Sequence, residues 1–186
     1  RIYTADTDGM NWPSQSTRVS VVDINSFEFE KTITVSLNPN YIYSDSDGDV
    51  YVICMSDYSD DKSYIVQRID AKTDEVKTVE GIKAYKMTVA DDIAYIMFND
   101  YYANEVKYYK YDLKNEKLLS DNFITDGTVV SSPNGIGVDP VTGDIYVGKS
   151  NKKNNGDVYV FSSEGKLKSQ FETLPYPADF VFMTNK

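Results

Sequence analysis

Short runs in which apolar and polar positions alternate with period two recur along the chain, and no segment carries a sustained 3.6-residue apolar period. Four of these runs hold a tyrosine: Arg1-Ile2-Tyr3-Thr4, Asp49-Val50-Tyr51-Val52, Ile93-Ala94-Tyr95-Ile96 and Asp144-Ile145-Tyr146-Val147. The tyrosines lie 48, 44 and 51 residues apart. Each run leads through a polar loop to a second alternating run, at Val19–Asp23, Tyr64–Asp70, Lys107–Asp112 and Asp157–Phe161. A polar turn and a third strand follow, at Glu30–Ile33, Val76–Val79, Lys117–Leu119 and Lys166–Phe171. A fourth strand precedes each tyrosine run, at Tyr41–Ser44, Lys86–Val89, Gly135–Val138 and Asp179–Met183.

Period-two runs separated by turn residues predict antiparallel meanders, with helix nearly absent. Four-stranded meanders repeating every 40–50 residues or so mark the blades of a β-propeller. The expected fold is therefore all-β, with about four blades in this chain. A sandwich of two sheets is the structural rival, but it does not require the same strand order four times. The chain starts on a second strand and finishes on an innermost one. Residues Phe182–Lys186 followed by Arg1–Tyr3 would read as one hairpin, so the last blade is expected to be closed by N- and C-terminal strands. Residues 1–186 are read as a single propeller domain or as the C-terminal portion of a larger one.

Composition narrows the function classes. Among the 186 residues are 19 Lys and Arg against 29 Asp and Glu, a formal net charge of −10. No concentrated basic face is available for phosphate backbones, so a nucleic-acid partner is excluded. No apolar run approaches the length of a transmembrane helix. Histidine is absent, which removes Ser-His-Asp and Cys-His catalysis and His-based zinc sites. Cys54 is the only cysteine and sits in the apolar run Val50–Met55, where a buried inert thiol is expected.

One stretch carries a specific resemblance. The segment Gly135-Ile136-Gly137-Val138-Asp139-Pro140-Val141-Thr142-Gly143-Asp144-Ile145-Tyr146-Val147 continues through Gly156–Phe161 and Gly165-Lys166-Leu167 to Pro177-Ala178-Asp179-Phe180. It resembles the last blade of the YncE-like surface propellers of Bacteroidetes, also called surface-layer or YVTN-type proteins. Val19–Asp23 and Lys31-Thr32-Ile33 with Leu37-Asn38-Pro39 are similar to their middle blades. The resemblance implies an exported, lipid-anchored protein on the exterior of a Gram-negative outer membrane, or a secreted one. Some members capture cobalamin for a TonB-dependent transporter, which makes a corrinoid a candidate ligand. Members of that family usually carry about seven blades, within the usual propeller range; this chain has sequence for four.

The candidate chemistry lies in loops. Asp45-Ser46-Asp47-Gly48-Asp49 opens like a calcium loop, but the repeat places it at a hairpin turn, and position twelve is Ser56 rather than Glu. Asp6-Thr7-Asp8-Gly9 reads the same way, and Asp57, Asp60 and Asp61 read as a solvated acidic loop. Loops on a propeller's ligand face carry aromatics and asparagines here: Trp12, Asn40, Tyr58, Tyr85, Tyr101, Tyr102, Asn134 and Tyr176 are the candidate ligand-binding residues. An exposed Trp12 can stack on a sugar or a planar ring. Asn40 and Asn134 precede equivalent inner strands, where capping a turn competes with touching a ligand.

The function expected is a non-enzymatic binding protein that uses no cofactor. Its ligand would be a corrinoid or a glycan, or its partner an outer-membrane transporter. A protein-interaction scaffold and a metal-dependent lactonase or hydrolase are the alternatives.

Overall fold

The computed structural model describes residues 1–58, 63–100, 105–151 and 153–183, and they fold as two compact units, Arg1–Tyr85 and Lys86–Lys186. The first unit holds β1 (Ile2–Asp6), β2 (Arg18–Val22) and β3 (Phe29–Thr34) in one sheet. Its second sheet runs in order β4 (Pro39–Ser44), β5 (Val50–Cys54), β6 (Ile65–Ile69) and β7 (Val76–Lys83). The second unit repeats the four-stranded order twice. One sheet is β8 (Lys86–Ala90), β9 (Ile93–Asp100), β10 (Glu105–Asp112) and β11 (Lys117–Ser120), and the other is β12 (Pro133–Val138), β13 (Ile145–Asn151), β14 (Asn154–Phe161) and β15 (Leu167–Thr173). Every ladder is antiparallel. The only helical turn among the described residues is a 3-10 turn at Gly9–Asn11, and no helix is long and apolar enough to cross a membrane.

The alternation read from sequence decides which side chains make the core. In β2, Val19 and Val21 are fully buried while Arg18 is exposed. They pack with Ile33, Val35, Val50, Val52, Cys54 and Ile69, so the facing sides of the two sheets in the first unit close one core. β5 is buried on both faces, because Tyr51 and Ile53 point the other way and are covered as well. Its run of β-branched and aromatic residues is what a fully covered strand uses. Outermost strands are polar by contrast: β15 is exposed along nearly its whole length and carries Lys168, Gln170 and Glu172, which protects the sheet edge. Cys54 lies in the core as anticipated, and burial pushes its thiol up to about 12.

A carboxylate builds the bends that follow β2, β6, β10 and β12. The Asp23 side chain accepts the N–H groups of Asn25 and Ser26, Asp70 those of Lys72 and Thr73, and Asp139 those of Val141 and Thr142. Asp112 does the same with Asn115. Four residues after each of these aspartates the chain turns through positive φ, at Phe27, Asp74, Glu116 and Gly143. The main-chain amides hold all four carboxylates below the usual aspartate value; for Asp112 the Asn115 side chain is the larger cause.

A depressed folded pKa contributes stability that is complete above the unfolded value, near 3.8, and is lost as pH falls through the lower folded values. The urea midpoint is therefore expected to hold from neutrality down to about pH 4 and to drop below it. A midpoint that stays flat through acid would show that the bends do not need the charged form.

The hairpin Asp45–Asp49 is a turn of this kind, as the repeat suggested. The Asp45 carboxylate accepts the N–H groups of Asp47 and Asp49. Asp49 is held by Arg68 through two nitrogens and by the Ala71 N–H. Among the described residues no three acidic or cysteine side chains gather as a metal site.

The first sheet has three strands, β1 pairs with β2 alone, and residues Asp179–Met183 carry no strand pairing among the described residues. Four glycines of the last sheet shape where the segment after β15 rests. Gly135, Gly137, Gly148 and Gly156 line a trough on the last sheet, and the segment from Leu174 to Phe180 lies in it. A Cβ on Gly148 would stand 2.4 Å from the Pro177 carbonyl oxygen, and one on Gly137 would stand 2.7 Å from Phe180 Cβ. Phe180 and Phe182 then pack on the Tyr146 ring, at 5.8 and 5.1 Å between centroids. The trough gives the segment Leu174–Phe180 a surface to rest on as a strap across the last sheet.

Candidate functional site

In the first unit, one buried side chain organises the loops that carry Trp12 and Tyr58. Asn38 is 1% exposed and sits at φ +60, a conformation asparagine tolerates better than most residues. Its N–H donates to the Ser16 carbonyl at 2.8 Å, and its carbonyl accepts from the Met55 N–H at 2.9 Å. Its side-chain oxygen accepts from the Thr7 hydroxyl at 2.5 Å, and its Nδ2 donates to the Ser56 carbonyl at 3.0 Å. Three segments, 7–17, 35–38 and 55–58, thus meet at a single asparagine.

Trp12 follows the 3-10 turn in the first of these loops and is 63% exposed. The turn is braced by Asn11, whose Nδ2 donates to both oxygens of Asp8 at 2.9 Å. Tyr58 lies in the third loop, 42% exposed, with its N–H turned back to the Met55 carbonyl. Two partly or largely bare aromatic rings are therefore carried on loops fixed by buried hydrogen bonds, the arrangement in which stacking on a ligand incurs little ordering entropy. Tyr85 is less available, being half-buried with its ring 6.5 Å from that of Tyr64.

Asn40 and Asn134 turn out to have one structural role in common. Pro39 pairs with Cys54 and Tyr41 with Ile53, so Asn40 is an extra residue in β4. Pro133 pairs with Lys149 and Gly135 with Gly148, so Asn134 is the extra residue in β12. Each Pro-Asn marks a β-bulge at the entry to an inner strand. Asn134 uses its Nδ2 on the Pro177 carbonyl at 3.4 Å, which places it under the strap.

Tyr176 is on that strap, exposed and at φ +61. Tyr101 and Tyr102 lie outside the described residues, as do Asp60 and Asp61. The candidate residues therefore separate: Trp12, Asn40, Tyr58 and Tyr85 belong to the first unit, and Asn134 and Tyr176 to the second.

Sequence reasoning missed two residues. Asn38 enters the sequence reading only within Leu37-Asn38-Pro39, since nothing in a polar pattern distinguishes a buried asparagine from a solvated one. Lys86 opens β8 at a position where the sequence suggests solvent, yet it is buried; its Nζ donates to the Ala178 carbonyl at 2.7 Å and pairs with Asp179 at 2.6 Å. It clasps the start of the strap. A lone lysine at the head of an inner strand was the only signal in sequence.

No protein-family model matches this chain, and neither does any curated protein. Solved structures do. The Dos1 propeller superposes with a TM-score of 0.61 at 12% identity, over 88% of this chain and 44% of that one. TolB from Acinetobacter baumannii gives 0.57 at 15% identity, over 86% and 38%, and the hydrazine synthase of Kuenenia stuttgartiensis gives 0.59 at 15%, over 79% and 45%. The chain spans less than half the length of each of these. At such identities the likeness establishes the fold alone, and that fold is the β-propeller, with the antiparallel sheets as its blades.

Proposed function

We propose that this chain is a non-enzymatic binding module, a YncE-like propeller working on the exterior of a bacterial outer membrane, and that it holds a corrinoid or a glycan against Trp12 and Tyr58. The observation that carries the reading is the pair of aromatic rings left bare on loops that Asn38 fixes from below. A flat apolar ring with a rigid mount binds the face of a sugar or a macrocycle, and the bonded pair Asp8 and Asn11 puts polar groups in the same turn as Trp12. The repeat and the blade resemblance support the class of protein; the loops support the ligand chemistry. Delivery to an outer-membrane transporter belongs to the same reading.

Trp12 is the chain's only tryptophan, so its emission reports this site and nothing else. Titration with cobalamin, cobinamide and a panel of oligosaccharides, with calorimetry beside it, is expected to give a saturable change for one class. Trp12→Ala is expected to weaken that binding about tenfold or more, the loss of one aromatic anchor. Binding that survives Trp12→Ala and Tyr58→Ala unchanged would move the site elsewhere, and no binding in any class would remove the ligand reading.

A further inference from the structure

The chain's two Asn-Gly pairs, Asn134-Gly135 and Asn155-Gly156, both lie in the last sheet, in different surroundings. We propose that Asn155 is a self-modification site, closing onto Gly156 as a succinimide that water opens to aspartate or isoaspartate, while the strap keeps Asn134 intact. Asparagine before glycine is the dipeptide most open to this chemistry, because the glycine carries no Cβ to shield its nitrogen. The fold decides which of the two pairs can use it.

Asn155 and Gly156 stand out of the regular ladder. Lys149 pairs with Asp157 and Asn151 with Asn154, so these two residues of β14 together face the single residue Ser150. Such a bulge interrupts the pairing and bends the backbone away from the extended form. The Ser150 N–H is turned aside to the Ser132 carbonyl at 3.1 Å. The Gly156 N–H reaches only the Leu174 carbonyl, at 3.4 Å, beyond the usual length of such a bond. The attacking nitrogen is therefore weakly held, and the Asn155 side chain is exposed, so water reaches the ring once it has formed.

Asn134 has the opposite setting. It is half-buried, its Nδ2 donates to the Pro177 carbonyl at 3.4 Å, and the carbonyls of Pro177 and Ala178 close over Gly135.

The step balances without a further reagent. The Gly156 nitrogen bonds to Asn155 Cγ, the Cγ–Nδ2 bond breaks, and the Gly156 amide proton departs on Nδ2 as ammonia. Water then adds to one of the two ring carbonyls. Opening at Cγ leaves aspartate in an unchanged main chain; opening at the main-chain carbonyl leaves isoaspartate, with one extra methylene in the backbone.

The new acid arrives among acids. At this end of the sheet amides hold the carboxylates: Asn155 Nδ2 donates to Glu172 at 2.8 Å, while Asn151 and Gln170 donate to Asp157 at 3.3 and 3.2 Å. Asp157 itself stands opposite Glu172. Conversion replaces the Asn155 donor by a third carboxylate, and a hydrogen bond becomes a like-charge contact. A Cβ on Gly156 would stand 2.7 Å from Pro177 Cδ, so a changed backbone here is felt by the strap.

The test is to incubate the full chain at mildly alkaline pH and body temperature, then map deamidation by mass spectrometry beside an isoaspartate-specific methyl-transfer assay. Conversion at Asn155 is expected to run about tenfold or more faster than at Asn134 in the folded chain, and the two rates are expected to converge in urea. Asn155 left intact, Asn155 no faster than Asn134, or a difference that persists in urea overturns the proposal. A second measurement reads the consequence. Asn155→Asp is expected to lower the urea midpoint below that of Asn155→Gln, less so in high salt, and Glu172→Gln is expected to restore it. A midpoint equal in Asn155→Asp and Asn155→Gln overturns the contact with Glu172.

Discussion

Replacing Gly165 by alanine is expected to cost the protein roughly 2–4 kcal/mol, a large loss for one methyl group, from a left-handed backbone penalty of about 1 and overpacking of about 1–3. Gly165 turns the hairpin between β14 and β15 at φ +80, a region that disfavours any Cβ. The space is also taken: a Cβ there would fall 1.6 Å from the Phe123 carbonyl oxygen. That carbonyl belongs to the connection 121–132, which crosses from the β8–β11 sheet to this hairpin. Phe123 and Ile124 are buried, the Thr125 N–H donates to the Gly165 carbonyl at 2.9 Å, and the Leu167 N–H donates to Asp126 at 2.7 Å. An added methyl group therefore pushes apart two elements that are hydrogen-bonded on both sides. Gly127→Ala is the control, because Gly127 has φ +81 with open space around it and shows the backbone penalty alone. Urea unfolding of the two variants checks the claim; equal losses would mean that the close approach to Phe123 is not felt.

Asn38→Ala is expected to cost about 2–4 kcal/mol and to loosen the Trp12 loop. Two side-chain hydrogen bonds vanish, leaving the Ser56 carbonyl and the Thr7 hydroxyl without that partner in a part-buried site, at about 1–3 kcal/mol for a stranded partner. Alanine at φ +60 adds about 1 kcal/mol of strain, which Asn38→Gly avoids. Glycine should thus be the milder variant by about that amount. Fluorescence anisotropy of Trp12 is expected to fall in both, since both untie its loop. An unchanged anisotropy would show that Asn38 stabilises the fold without fixing the aromatic ring.

The strands were legible because their information is local. Period-two runs such as Val19-Ser20-Val21 and the Asp-led bends fix both the existence and the order of the sheets, and the structure places β1 to β15 on the expected runs. The trough was not legible for a physical reason: Gly135, Gly137, Gly148 and Gly156 weaken any apolar pattern, yet by lacking side chains they make room for Pro177 and Phe180. A surface made by missing atoms leaves no mark in hydropathy. The loop aromatics were legible as candidates because a single Trp beside Asn and Pro is conspicuous. Asn38 and Lys86 were not, since their importance depends on partners up to 31 and 92 residues away in the chain.

The glycine trough also separates two properties that most proteins entangle. A side chain introduced at Gly137 or Gly148 would meet the strap first, well away from the valines and isoleucines that hold the sheet. Residues of increasing size there would form a graded series that lifts the strap by steps, so the seating of this one segment is a dial that evolution, or an experimenter, can turn while the blades stay as they are.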